Sequence, residues 1–196
     1  MITIFEEYPG SNLIDVSEEF LQEGNGNIVL KGINNKIHIQ RPHHVRGFSA
    51  ILSGDASLSV GFGCTMLGMH IAILAPGTVS IGSKCSSNVN CQINMNEAAN
   101  IDIGNDCLFG PDVTIACSDA HKVIDVATGK RLNEPDDIRM GDRIWLGARV
   151  SVWKGSDIGE DSVVAFGSFV NDEFPAGTLI AGTPARVIRE GIRWEQ

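Results

Sequence analysis

Long apolar runs are missing from this 196-residue chain. No stretch approaches the roughly 18 apolar residues that a membrane span requires. The opening MITIFEEYPGSN has neither a basic n-region nor an apolar run of signal length. Cysteine is sparse: five thiols, an odd number, with no small-disulfide-domain spacing. Together these absences predict a cytoplasmic protein with reduced thiols and no membrane insertion. Aromatic residues make up only 6% of the chain. Positive charge is also short. The net charge of −9 argues against nucleic acid or an anionic membrane as the main partner. Several catalytic signatures are absent too: no P-loop, no G-x-S-x-G, and no Cys/His/Asp/Glu spacing that resembles a zinc site, which predicts no metal. His43-His44 is an adjacent pair without further ligands, and Gly61-Phe62-Gly63 is not followed by a helix pattern, so it is no dinucleotide fingerprint.

Glycine is abundant, with 22 residues, which suits a chain of many tight corners. The stretch from Met140 to Phe174 shows why. Met140, Leu146, Val152, Ile158, Val164 and Val170 recur every six residues, followed by Gly141, Gly147, Trp153, Gly159, Ala165 and Asn171, which are mostly small. The apolar column alone would arise by chance about 4% of the time at this composition. The paired small column makes the repeat convincing. A period of six fits neither the helix period nor plain alternation. It fits a short strand and a corner, wound as a parallel β-helix of hexapeptides.

A second repeat lies upstream. Ile37–Gln40, Leu58–Gly61, Val79–Gly82, Ile101–Gly104 and Ile138–Gly141 each read apolar, polar, apolar, then usually Gly, at spacings of 21, 21, 22 and 37. Each piece is a short strand with one face inward. The spacing of 37 is one coil plus a loop insertion at 122–137, KVIDVATGKRLNEPDD, which lacks the repeat. A loop of that length in a tight coil is functional or mobile. The domain plan is therefore an N-terminal cap or irregular segment at 1–36, a β-helix at 37–174 and a closing segment at 175–196. The stretch Leu13–Leu21, containing SEEF, reads as a short helix or an irregular cap. Cys64, Cys85 and Cys107 keep one register, with Ile144 in the same place later, and read as small groups stacked in the core. The charge is uneven. Residues 1–121 hold five Lys+Arg against twelve Asp+Glu, and residues 122–196 hold ten against twelve, so an anionic co-substrate would sit better on the second part.

Ser118-Asp119-Ala120-His121, the loop after it, Gly141-Asp142-Arg143-Ile144-Trp145-Leu146-Gly147, Ile158-Gly159, Ala165-Phe166-Gly167-Ser168 and Ala181-Gly182-Thr183-Pro184-Ala185-Arg186 form an ordered string of motifs. In these the chain resembles the hexapeptide-repeat acyltransferases. It is most similar to the O-acetyltransferases of bacterial sugars and surface polysaccharides and to the galactoside/maltose acetyltransferases, although it lacks the N-terminal helical segment typical of the latter. The resemblance implies an all-β, left-handed parallel β-helix. General chirality favours right-handed crossovers, so the hand comes from the resemblance alone.

The resemblance also implies transfer of acetyl from acetyl-CoA to a sugar or polysaccharide hydroxyl, in a homotrimer whose active sites form between subunits. His121 holds the place of the general base. An imidazole can take the hydroxyl proton as it attacks a thioester carbonyl. Asp119 either orients that imidazole or serves as a corner residue bonding its own turn. Asn90 matches a region that contacts the acceptor sugar, with Asn88 as a rival. Trp145 should point outward, toward the acetyl-CoA site or another subunit. Trp153 reads as interface or surface packing. Gly147, Ala148, Ala165, Phe166 and Gly167 match a groove for the pantetheine arm, with Phe166 in place of the usual alanine and Asn171-Asp172 in place of a frequent Thr-Lys. Thr183 and Arg186 match the motif that holds the nucleotide end. The alternatives are an N-acetyltransferase of amino sugars, a transferase for serine or an antibiotic, and a non-catalytic β-helix subunit. A γ-class carbonic anhydrase would need histidine ligands that His121 lacks at the right register.

Overall fold

The alternating pieces do form strands in the computed structural model, which describes residues 1–195. They stack into a β-solenoid of about eight coils with three faces. The first face runs from Ile2–Glu6 through Asn25–Lys31, the end of His44–Ser53, Met69–Ile73, Cys91–Met95, Thr114–Ala116 and Ser151–Trp153 to Phe169–Val170. A second runs from Leu13–Val16 through Lys36–Ile39, Ala56–Val60, Gly77–Ile81, Asn100–Ile103, Ile138–Met140 and Asp157–Ile158 to Glu173–Phe174. The third runs from the start of His44–Ser53 through Thr65–Leu67, Ser86–Ser87, Leu108–Phe109, Trp145–Leu146 and Val163–Val164 to Thr178–Gly182. Strands of successive coils pair in parallel, so inward residues stack in columns. The six residues of the hexapeptide column, Met140 to Val170, are all buried. No helix among the described residues is long and apolar enough to cross a membrane.

The boundaries at 36 and 174 need correction. Ile2–Glu6 pairs with Asn25–Lys31, and Leu13–Val16 with Lys36–Ile39, in the register of the later coils. The solenoid therefore starts at Ile2. Only the helix Glu18–Glu23 behaves as a cap. Ser17 accepts the Phe20 N–H at its start, and Phe20 lies fully buried edge-on against Phe48, 5.5 Å between ring centroids. At the other end Pro175 stands at a corner, where no ladder N–H is needed. The coil goes on through Thr178–Gly182, and Ala185–Glu190 pairs with that strand antiparallel, covering the open edge.

Stacking at the corners explains the small column. A Cβ on Gly147 would stand 2.8 Å from the Phe166 nitrogen, and one on Gly159 would stand 2.3 Å from the Ala176 nitrogen. Cys64, Cys85 and Cys107 are buried free thiols, each close to a glycine carbonyl of the next coil, those of Gly82, Gly104 and Gly141. Burial pushes Cys91 up to about 12 and Cys117 to about 11, which keeps both as inert thiols.

Candidate active site

The coil breaks at the corner between the first and second faces. Ser118 is buried and its Oγ accepts the Ala120 N–H at 3.3 Å. Ala120 takes a left-handed φ of 60°, and the His121 N–H turns back onto the Asp119 carbonyl at 2.7 Å. This hook puts His121 on the surface. The insertion then folds as a hairpin. Ile124 bridges Arg131, and Asp125 Oδ1 accepts the Ala127 and Thr128 N–H groups at 2.8 Å each. Arg131 forks onto Glu97 of the preceding coil with two bonds of 2.7 Å, which holds the Glu97 carboxyl below the usual carboxylate range.

Asp119 sits at the centre of the remaining contacts. Its Oδ1 accepts the Trp153 indole N–H at 2.8 Å, and its Oδ2 accepts Lys154 Nζ at 2.6 Å and Asn133 Nδ2 at 2.7 Å. These donors, Lys154 foremost, push its pKa down to about 2. Its carboxylate is thus occupied by donors from other segments. It is bonded to the next coil and the loop, not to the His121 ring or to its own turn. Trp153 also packs on Phe169, with 5.9 Å between ring centroids, so its exceptional size in the small column reflects the reach of its N–H to Asp119. Trp153, Lys154, Asn133 and the Arg131–Glu97 pair were not assigned to the site from sequence.

The depressed pKa of Asp119 carries a stability prediction. A carboxyl lowered on folding stabilises above its unfolded pKa, and the benefit fades as pH falls through the folded value. With the group a third exposed, solvent screening limits the contribution to about 1 kcal/mol. Asp119→Asn should be less stable than wild type by a constant margin between pH 5 and 9. The margin should shrink below about pH 4. Urea melts of both proteins at pH 7 and pH 3 measure it, and an equal margin at both values would refute the assignment.

The expected cofactor residues lie at another corner, between the third and first faces. Gly147-Ala148, Ala165-Phe166-Gly167 and Thr183 stack there on successive coils. A column of left-handed residues runs beside them: Asn90, Asp112, Arg149 and Gly167, at φ 58°, 59°, 59° and 68°. Asn90 belongs to that column, and its amide donates to Asp112 at 2.8 Å and accepts from Gln92 at 3.1 Å. Asparagine tolerates this conformation better than most residues. Phe166 is 65% exposed, and the Arg149 guanidinium lies 5.6 Å from its ring centroid. Arg149 was missed in the sequence because a corner cation carries no spacing signal. Thr183 Oγ1 donates to the Gly167 carbonyl at 3.4 Å, and Arg186 Nη1 to the Ala185 carbonyl at 2.7 Å.

Trp145 points outward on the third face, as expected, but it meets the chain's own tail. Trp194 lies 5.9 Å away between centroids and donates its N–H to the Arg143 carbonyl at 2.6 Å. Trp145 stays 40% exposed. Within one chain, then, His121 and the small-residue corner stand at opposite edges of the first face.

No family model matches the chain. It is 29% identical over 116 residues to the polysialic acid O-acetyltransferase of Escherichia coli O1:K1 / APEC, covering 59% of this chain and 38% of that protein. It is 31% identical over 130 residues to the galactoside O-acetyltransferase of Escherichia coli (strain K12), covering 63% of each. The chain thus spans well under two thirds of the length of the first of these relatives. Among solved structures, the polySia-specific acetyltransferase NeuO matches with a TM-score of 0.81 at 25% identity, over 100% of this chain and 85% of that one.

Proposed function

We propose that the chain is a hexapeptide-repeat acetyltransferase that transfers acetyl from acetyl-CoA to a hydroxyl of a sugar or polysaccharide, with His121 as general base, a reading supported by the relatives and the solved structure above. The observation that carries the reading is the placement of His121. It is exposed at the break in the hexapeptide pattern that opens the long insertion, on a loop tied to the coil before it through Glu97 and to the coil after it through Lys154. A sugar hydroxyl is a weak nucleophile at neutral pH. The imidazole takes its proton while the oxygen attacks the thioester carbonyl. The C–O bond forms, the C–S bond breaks, and the proton passes to the leaving thiolate, giving an acetyl ester and free CoA.

The cofactor reading uses the other corner. Gly147, Ala148, Ala165 and Gly167 leave room for an extended pantetheine arm. Arg149 and Arg186 supply cations for phosphate. Phe166 narrows the groove, and Trp145 lies on the neighbouring face. A homotrimer unites the two corners. Three copies packed with their first faces toward a common axis set the His121 corner of one against the small-residue corner of the next. The first face supports this. One of its outward columns carries Val29, Ile51, Ala72 and Trp153, interrupted by Asn94 and by the buried Ala116, beside a polar column of Ser49, His70, Gln92 and Thr114. The outward column of the second face is Asp15, His38, Ser59, Ser80, Asp102 and Arg139, a wetted surface.

The test is release of free thiol from acetyl-CoA across a panel of sugars, oligosaccharides and nucleotide-sugars. Thiol release that rises with one acceptor, together with an acetyl ester on the product, is the expected result. Release that no acceptor stimulates would count against the reading.

A further inference from the structure

His121 is fixed through its backbone by a residue twelve positions away. We propose that Asn133 is a positioning residue for His121, anchored through Asp119 to Lys154 and Trp153 of the following coil. The inference rests on His121 being the base and adds the part that holds it. Asn133 Nδ2 donates to the His121 carbonyl at 2.8 Å and to Asp119 Oδ2 at 2.7 Å. Its Oδ1 accepts the Val123 N–H at 2.6 Å and Arg131 Nε at 3.4 Å. One amide on the returning limb of the hairpin thus bonds the outgoing limb on both sides of Lys122. The work needs a donor and an acceptor held in one plane, which an uncharged amide provides. Aspartate would lose the donor and set a second carboxylate against Asp119.

The anchor makes this more than a loop contact. Trp153 ends the strand Ser151–Trp153, which is paired in the solenoid on both sides. From that strand a chain of bonds runs to Asp119, to Asn133 and to the carbonyl of His121. The N–H of His121 is bonded as well, to the carbonyl of Asp119. Both backbone groups of residue 121 therefore trace to Asp119, one directly and one through Asn133. At residue 121 both bonds fall on the backbone, so what they fix is the point from which the imidazole projects. Arg131, forked onto Glu97, also turns the Asn133 amide, since its Nε can donate only to the oxygen. The insertion is held before any substrate arrives, which is the condition for a general base to act without reorganising.

The experiment is a double-mutant cycle with a sugar acceptor that supports thiol release. Asn133→Ala should lower kcat about 10- to 100-fold, as a misplaced catalytic group does, with the KM for acetyl-CoA unchanged. In a His121→Ala background the same substitution should change the residual rate less than about twofold, because it acts through His121. Wild-type kcat in Asn133→Ala, or an equal loss in both backgrounds, would overturn the proposal. Lys154→Ala gives a second variant in case Asn133→Ala fails to fold. It removes the cation from Asp119, which keeps its bond from the Trp153 N–H, and leaves Asn133; an intermediate loss is expected, whereas no loss would remove Lys154 from the anchor. If the wild type acetylates no acceptor, the catalytic reading fails separately, and amide hydrogen exchange decides this one. Exchange at Val123 should be at least about tenfold faster in Asn133→Ala, and unchanged exchange would refute the latch.

Discussion

Replacing His121 with alanine is expected to lower kcat for acetyl transfer by about 10²- to 10⁴-fold, with the KM for acetyl-CoA within about threefold of wild type. The size of the loss follows from the acceptor. Without a base at the hydroxyl, attack proceeds from the neutral alcohol or from the small ionised fraction, and only the positioning of the two substrates remains. The fold should be indifferent. The hydrogen bonds at residue 121 use its N–H and carbonyl, which alanine retains. The melting temperature should therefore stay within a degree or two while the rate collapses. A pH profile adds a check. Asp119, held down to about 2, stays ionised through any workable pH and cannot supply an acid limb. If the wild type shows such a limb, the residual activity of His121→Ala should lack it. Full activity with a proven acceptor in His121→Ala would end the assignment.

The later coils were legible because their corners are of minimum length. There, inward positions recur every six residues and the stacking glycines follow. The earlier coils could be traced through their alternating strands, since Ile37–Ile39, Leu58–Val60, Val79–Ile81 and Ile101–Ile103 carry the same inward pair. The first coil could not. Leu13-Ile14-Asp15-Val16 alternates correctly, but a helix follows it in place of a glycine corner, and the period is lost. The site divides in the same way. His121 was legible as a break in a repeat. Its support was not, because Asn133, Lys154, Arg131 and Glu97 meet through the path of an irregular loop, and sequence spacing says nothing about such a path. Trp153 was the one visible clue, a large residue in a small slot. Its reason, an N–H aimed at Asp119 34 residues upstream, is a tertiary fact. The same holds for Trp145, whose neighbour Trp194 arrives from a tail that turns back over the third face.

The second large effect should come from a residue far from any chemistry. Ala72→Glu is expected to split the proposed trimer into monomers and to lower acetyl transfer at least about 100-fold, because in that arrangement each site would take one corner from each of two subunits. Ala72 lies in the outward column between Ile51 and Asn94, on the face that the arrangement turns to the shared axis. A carboxylate there would be stripped of water between the packed subunits, and threefold packing would bring three such charges together. Either effect costs several kcal/mol, more than a small interface can absorb. The isolated solenoid should tolerate the change, since the side chain points away from the core. Circular dichroism of the monomer should remain close to wild type, while its melting temperature falls by the stabilisation that assembly supplied. Ser80→Glu on the second face is the matched control. It adds the same charge to a column that already holds Asp15, Asp102 and Arg139, and it should leave both assembly and rate intact. Light scattering and thiol release on the same samples give the answer. A wild-type protein that is monomeric and fully active would sink the inter-subunit site. So would an Ala72→Glu protein that keeps both its assembly and its rate.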